Sequence, residues 1–203
     1  MELKELEGKI INADCMDILK QFPDKCIDLV LTDPPYGIGI SKNPVRQMHK
    51  KKEWDLEIPM GNVFNEIFRV SKHQIIWGGN YFNLPQSQGF FIWNKLQPEN
   101  FSLAMCEYAW YSKQQPAKMY NCSVLEEKNK IHPTQKPVKL FMWLLNRETN
   151  ENDLILDCFS GSGPTAIACQ RLKRRFICIE KDVEYYKKSV ERLKAEQAQL
   201  QLF

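Results

Sequence analysis

Several absences narrow this chain before any motif is read. No apolar run approaches the roughly 18 residues that a membrane-crossing helix requires, so no transmembrane helix is expected. The opening Met-Glu-Leu-Lys-Glu-Leu-Glu is no signal peptide, and a cytoplasmic protein is expected. Only three histidines occur, and they are scattered, which leaves little for a zinc site. The seven cysteines (Cys15, Cys26, Cys106, Cys122, Cys158, Cys169, Cys178) show no CxxC spacing. Their number is odd and most sit in apolar runs, so buried free thiols in a reducing compartment are expected rather than disulfides. Acids are missing locally too. Between Asp33 and Glu53 there is none, while Lys42, Arg46, Lys50, Lys51 and Lys52 are all basic. A polyanion would be drawn to such a stretch. A solvated lysine loop reads equally well from charge alone, because the net charge is only +3.

What is present fits one domain. At 203 residues the chain is long enough for a full core, and no internal repeat interrupts it. Strands are expected at Lys9–Ala13, Ile27–Leu31, Gln74–Trp77, Gly89–Trp93, Ala104–Tyr111, Asp153–Asp157 and Arg175–Ile179, where apolar runs end in turn residues or acids. Helical spacing marks Cys15–Phe22, Asn62–Val70, Val138–Leu145, Pro164–Leu172 and a last helix carrying Val183, Tyr186, Val190 and Leu193 before a Gln-rich tail. Residues 37–60 read as a long loop and 112–131 as irregular and polar. About seven strands with intervening helices predict an α/β sheet, mostly parallel, with helices on both faces. Ligands in such sheets bind at the carboxyl ends of the strands. Asp14, Asp33, Gly78-Gly79-Asn80, Phe159-Gly161-Gly163 and Glu180 all fall just past strand ends, so one rim can hold them.

Asp33-Pro34-Pro35-Tyr36 is unusual turn chemistry, since common turns take one proline followed by Gly, Asn or Asp. The two prolines fix φ, donate no hydrogen bond and push the preceding residue toward extended geometry. A stiff segment results that displays carboxylate and carbonyl oxygens beside an aromatic ring. It suits an amino group that must be held by acceptors alone. A strand exit with a packed tyrosine is the plainer reading of the same residues.

Gly161-Ser162-Gly163-Pro164-Thr165-Ala166 satisfies G-x-G-x-x-[G/A] after a strand and before a helix, and Glu180 closes the next strand 17 residues after Gly163. Glycines there let a ligand approach the backbone, and the acid takes ribose hydroxyls. A dinucleotide would put a pyrophosphate at the helix start. Asp157, just ahead of the loop, opposes a phosphate and welcomes an ammonium group. S-adenosylmethionine has an ammonium, a sulfonium, a ribose and no phosphate. Aromatics near a sulfonium, such as Phe159 or Tyr36, would add a cation–π contribution of roughly 1 kcal/mol.

These residues resemble the DNA amino-methyltransferases that methylate adenine N6 or cytosine N4. Asp33-Pro34-Pro35-Tyr36 matches that family's catalytic motif, and Asp157-Cys158-Phe159-Ser160-Gly161-Ser162-Gly163 its cofactor loop. The order, catalytic motif first, resembles the β group, a circular permutation of the usual methyltransferase sheet. Asn12-Ala13-Asp14-Cys15 resembles the segment whose acid meets the cofactor adenine. His132-Pro133-Thr134-Gln135-Lys136-Pro137 resembles the segment near the methionine end of the cofactor. Ile76-Trp77-Gly78-Gly79-Asn80-Tyr81-Phe82 is similar to small phage-type adenine methyltransferases. Pro164 stands where threonine is common, which puts one hydrogen bond in question.

The resemblance implies a single Rossmann-like S-adenosylmethionine-dependent methyltransferase domain over 1–203, with short target-recognition insertions at about 37–60 and 112–131. It implies double-stranded DNA as partner, no membrane, a monomer or homodimer, and the restriction-modification setting of such enzymes. Asp33, Pro34, Pro35 and Tyr36 would be catalytic. Asp14, Cys15, Asp33, His132, Thr134, Lys136, Asp157, Phe159, Ser160, Gly161, Ser162, Gly163, Glu180 and Lys181 would hold S-adenosyl-L-methionine. Lys42, Arg46, Lys50, Lys51, Lys52 and Trp54 would contact DNA. Adenine N6 is the expected acceptor, with cytosine N4 as the alternative and a DNA-binding remnant without turnover as a distant one. Tyr36 would stack on the flipped base. His132 reads equally as a loop residue anchoring the next helix, Asn80 as a turn residue, and Trp77 and Trp93 as core.

Overall fold

The computed structural model describes residues 3–37, 61–101, 103–127, 130–132 and 134–200. Among them, eight strands form one sheet: β1 (Lys9–Asn12), β2 (Ile27–Thr32), β3 (Ser71–Trp77), β4 (Gly89–Asn94), β5 (Cys106–Tyr111), β6 (Lys118–Asn121), β7 (Leu154–Asp157) and β8 (Arg175–Glu180). Their spatial order is β1-β8-β7-β2-β3-β5-β4-β6. The first five in that order are parallel, β5 runs against both β3 and β4, and β6 is parallel to β4. All four residues of β7 and all but one of β2 are buried. That burial on both faces is why these strands read as unbroken apolar runs instead of alternating ones.

Helices cover both faces. Val138, Leu140, Phe141, Leu144 and Leu145 of α4 (Val138–Glu148), Ala166, Ile167 and Cys169 of α5 (Pro164–Arg171) and Leu193 of α6 (Val183–Leu200) pack with Leu29, Leu31 and Ile75. The opposite face takes Leu6 of α1 (Leu3–Leu6), Ile18 and Leu19 of α2 (Cys15–Leu19), and Val63, Phe64, Ile67 and Val70 of α3 (Gly61–Val70) against Val30, Ile76 and Leu156. The period-2 alternation of Leu29, Val30 and Leu31 sends neighbouring side chains to opposite layers.

The strand order reverses at one place. From β7 the chain steps through α5 to β8 on one side; from β2 it steps through α3 to β3 on the other. β7 and β2 are themselves neighbours, with Leu29 opposite Ile155 and Val30 opposite Leu156. Crossovers leaving adjacent parallel strands in opposite directions open a crevice at the strands' carboxyl ends, the usual ligand position in such sheets.

Three differences from the sequence reading stand out. The sheet has an eighth strand, β6, inside the 112–131 stretch expected to be irregular. Its Lys-Met-Tyr-Asn is exposed at three of four positions, so this edge strand carries no apolar run to announce it. The helix expected over Cys15–Phe22 ends at Leu19 and continues as turns. The last helix runs for 18 residues to Leu200, because glutamine is a good helix former and neither glycine nor proline interrupts it. Trp77 and Trp93 are core as expected, and the seven cysteines are free thiols, buried except for the half-buried Cys26 and Cys106. No helix among the described residues is long and apolar enough to cross a membrane.

Candidate active site

The rim at the carboxyl ends of the strands gathers the singled-out residues. Asp14 follows β1, Asp33 follows β2, Gly78 follows β3, Asp157 ends β7 and Glu180 ends β8. Thr32 ties the two central strand ends together, donating its hydroxyl to Asp157 Oδ1 at 2.8 Å and accepting from the Cys158 amide at 3.2 Å.

The glycine loop is built on that tie. Gly163 sits at φ +74°, and a Cβ on it would come within 3.3 Å of Ser189 and 3.4 Å of Ile10. Both the left-handed backbone and the close helix approach therefore ask for glycine. Pro164 is the first residue of α5, where a missing amide hydrogen costs nothing. The threonine expected at that position is replaced in effect by the next residue: Thr165 donates its hydroxyl to Asp157 Oδ2 at 2.5 Å. Asp157 Oδ1 also accepts from the Phe159 amide at 3.1 Å. A carboxylate has about four acceptor sites, so three donors leave Asp157 room for one more. Burial pushes its pKa up to about 6, against those hydrogen bonds. Glu180 accepts from the Gly161 amide at 2.7 Å and the Asp182 amide at 2.8 Å, which fixes the loop to the end of β8. Burial pushes its carboxyl upward as well.

Ser160 Oγ and Ser162 Oγ are buried in this loop without a hydrogen-bond partner among the described residues. Buried orphan hydroxyls are costly, and two of them beside a glycine loop mark a place shaped for a polar ligand. Asp14 caps α2 through the Met16 amide at 3.0 Å and meets Lys181 at 2.8 Å. Cys15 is buried beside it, its thiol pushed up to about 12 chiefly by burial. His132 Nδ1 lies 3.0 Å from the Thr134 hydroxyl, and its ring packs 4.3 Å from Tyr185 and next to Gly161.

The second half of the site is an ionic cluster around Asp33. Tyr36 donates its hydroxyl to Asp33 Oδ1 at 2.6 Å, and Lys136 Nζ binds Asp33 Oδ2. Lys136 also lies 3.1 Å from Glu107 and 3.2 Å from the Tyr36 hydroxyl, and Glu107 meets Lys95 at 2.6 Å. The Trp77 ring centroid is 5.2 Å from the Lys136 ammonium. Only 3% of the Lys136 side chain is exposed, so two carboxylates and two rings take the place of water. Burial would lower the Lys136 pKa, but Asp33 and Glu107 outweigh it and keep the ammonium charged. Glu107 is held down to about 2: Lys136 and Lys95 overcome its burial. Asp33 moves the other way, raised by burial and by Glu107 despite the same ammonium.

Tyr36 is fitted to this place by glycine. A Cβ at Gly78, whose φ is +70°, would fall 2.2 Å from the Tyr36 ring. Tyr81 stacks on Tyr36 at 4.8 Å and 16°. Thus the ring expected to meet a base already carries an aromatic partner. A cavity of about 950 Å³ adjoins Gly79 and Asn80, with Phe90, Tyr108 and Trp110 in its wall. Asn80 itself lies in a single 3-10 turn, Gly79–Tyr81.

Most of the expected site is thus on one rim, in two linked parts. Lys136, expected with the cofactor residues, has its ammonium on Asp33. Glu107, Lys95, Thr32, Thr165 and Tyr81 join these contacts and were given no site role in the sequence reading. Glu107 had a signal: it is an acid inside a strand otherwise marked by aromatics. Lys42, Arg46, Lys50, Lys51, Lys52 and Trp54 lie outside the described residues.

Comparison with known proteins agrees with this geometry. A family model described as DNA methylase, N6_N4_Mtase, matches residues 92–191. The type II methyltransferase M2.MboI of Moraxella bovis is 29% identical over 235 residues, covering 90% of this chain and 86% of that protein. Among solved structures, the M1.HpyAVI–SAM complex superposes with a TM-score of 0.64 at 22% identity, over 91% of this chain and 99% of that one. PvuII DNA methyltransferase, described as cytosine-N4-specific, superposes with a TM-score of 0.63 at 18% identity, over 93% and 90%. The last two likenesses carry the fold, a Rossmann-like methyltransferase sheet. Together the matches support an N6/N4 DNA amino-methyltransferase.

Proposed function

We propose that this protein transfers the methyl group of S-adenosylmethionine to the N6 amine of an adenine flipped out of double-stranded DNA. The observation that carries the reading is the Thr32–Asp157 bond. It sets an acceptor-rich strand end, Asp33-Pro34-Pro35-Tyr36, directly beside a glycine loop with a buried acid and two orphan hydroxyls. Those groups fit the cofactor's polar parts. Asp157 has one acceptor site left and would hold the ammonium, Glu180 and Asp14 would meet the ribose and adenine, and Ser160 and Ser162 would offer hydroxyls. S-adenosylmethionine bound there supplies an electrophilic methyl on a sulfonium.

The residues around Asp33 deal with the acceptor. An exocyclic amine on a purine is a weak nucleophile because its lone pair is delocalised into the ring. An Asp33 oxygen and the Pro34 carbonyl accept its two hydrogens and localise the lone pair toward the methyl group. The bound cofactor would supply the methyl group to the amine nitrogen and leave with the C–S electron pair as a neutral thioether, and Asp33 passes the surplus amine proton to water. Pro35 stiffens the segment. No covalent enzyme intermediate is required, in keeping with Cys15 and Cys158, the cysteines beside the site, which are buried and hard to ionise. Rate acceleration comes from positioning and from fixed charge in a site shielded from water. Flipping the base costs a few kcal/mol, part of which contact with Tyr36 and Tyr81 returns. An aspartate at the head of the catalytic motif favours adenine over cytosine N4 in this family. We assign target recognition to 37–60 and 112–131 within a single domain, and DNA phosphate contact to the basic residues of the first of these.

Incubation of the protein with double-stranded DNA and methyl-labelled S-adenosylmethionine, followed by digestion to nucleosides, tests the reading. Labelled N6-methyladenine is expected. Labelled N4-methylcytosine would replace the acceptor but keep the chemistry, and absence of label would remove the enzymatic assignment.

A further inference from the structure

Both oxygens of Asp33 are already engaged: Tyr36 donates to Oδ1, and the Lys136 ammonium sits on Oδ2. An ammonium on a carboxylate presents the same N–H donors as the amine this acid is meant to hold. It also draws negative charge away from the oxygen that must pull on the amine hydrogens. Two of the roughly four acceptor sites of Asp33 are thus taken, and a substrate amine must compete with the ammonium for the charge on Oδ2. The Tyr36 ring is pinned between Tyr81 and Gly78. Lys136 has an alternative partner already in reach, since a second carboxylate, Glu107, is 3.1 Å from its Nζ.

We propose that Lys136 is a resident stand-in for the target amine, and that Glu107 is the acceptor to which its ammonium is handed when the base enters. The proposal rests on the reading of Asp33 as the amine acceptor. The handover is short, since the ammonium already touches both carboxylates. It keeps Lys136 charged throughout, with Trp77 facing it at 5.2 Å in place of water. Lys95, 2.6 Å from Glu107, fixes that carboxylate in place to receive it. In the free protein the arrangement keeps Asp33 occupied, which spares a buried, unpaired carboxylate. It also raises a barrier to adventitious amines: a donor must compete with a charged lysine for the acid. Glu107 and Lys136 are positioning residues in this account.

The test is a pair of variants in the full chain, measured for methyl transfer to DNA at about pH 8.5, well above carboxylate titration. Glu107→Gln removes the receiving charge, so Lys136 stays on Asp33. Turnover per folded molecule is expected to fall by about tenfold or more with S-adenosylmethionine affinity near wild type, while the unfolding midpoint also drops because Lys95 and Lys136 lose a buried carboxylate. Adding Lys136→Met to Glu107→Gln removes the competing ammonium, and turnover is expected to rise above that of the single variant. A structural role for Glu107 predicts the reverse, a double variant slower than the single one. That result, or wild-type turnover in Glu107→Gln, overturns the proposal. Absence of transfer by the wild-type protein overturns the functional reading itself, and the proposal with it; transfer by wild type with the wrong variant order overturns the proposal alone.

Discussion

The Thr32 hydroxyl at the end of β2 donates to the Asp157 carboxylate at the end of β7 across 2.8 Å, although 125 positions separate them in the chain. The same hydroxyl accepts from the Cys158 amide. One small side chain thus serves as the joint between the strand that leads into the acceptor motif and the strand that opens into the glycine loop. Thr32→Val keeps the shape but removes both bonds. Asp157 loses a donor and a buried amide loses its acceptor, so the unfolding free energy should fall by about 1–3 kcal/mol. Thr32→Ser should recover most of it. Urea denaturation of the three proteins measures this.

Asp157 gives a pH dependence with a definite sign. An ammonium binds the carboxylate form, and burial raises this carboxyl to about 6. S-adenosylmethionine affinity is therefore present above pH 6 and lost as pH falls through it. A group titrating near 6 is mostly charged at pH 7 and mostly neutral at pH 5, so the dissociation constant should rise by roughly tenfold between them. Calorimetric titration at both values checks this. Asp157→Asn should bind weakly at pH 7 and lose the pH dependence.

Gly78 meets two demands at once, a φ of +70° and a Tyr36 ring where a Cβ would stand. Gly78→Ala must strain the backbone and displace the ring that donates to Asp33. A loss of about 1–3 kcal/mol in stability is expected from the strain, with turnover falling further than stability alone accounts for. Thermal unfolding beside single-turnover methyl transfer separates the two effects.

The two long-spaced motifs were legible because each depends on residues with few other uses: a double proline after an acid, and a glycine pair after a buried strand. The parallel core was legible for the same reason, since Leu29–Leu31 and Leu154–Leu156 are apolar on both faces. β6 was not, because only Tyr120 of its four residues packs against the core, too little to show a periodic face. The ionic cluster was hidden for a different reason. Glu107, Lys136 and Lys95 are polar residues of ordinary kinds; the antiparallel pairing of β4 and β5 brings Lys95 to Glu107, and the segment leading into α4 brings Lys136. Spacing along the chain carries no trace of that neighbourhood.

The basic stretch makes a prediction that needs no side-chain geometry. Each lysine that neutralises a DNA phosphate contributes about 0.9 to the slope of log affinity against log salt. Replacing Lys50, Lys51 and Lys52 by alanine should flatten that slope by up to about 3 if all three contact phosphates. Binding isotherms across a salt series give the value. An unchanged slope would return the stretch to a solvated loop.

The most direct test of the account is Asp33→Ala, because every step assigned to the acceptor side passes through that carboxylate. S-adenosylmethionine affinity should stay within about threefold of wild type, since the glycine loop and Asp157 remain. Methyl transfer to DNA should fall by about 10³-fold, the scale of losing a positioned catalytic group. Side-by-side measurement of cofactor binding and turnover on this variant decides the matter: binding kept with turnover lost is the predicted result, and near-normal turnover would contradict it.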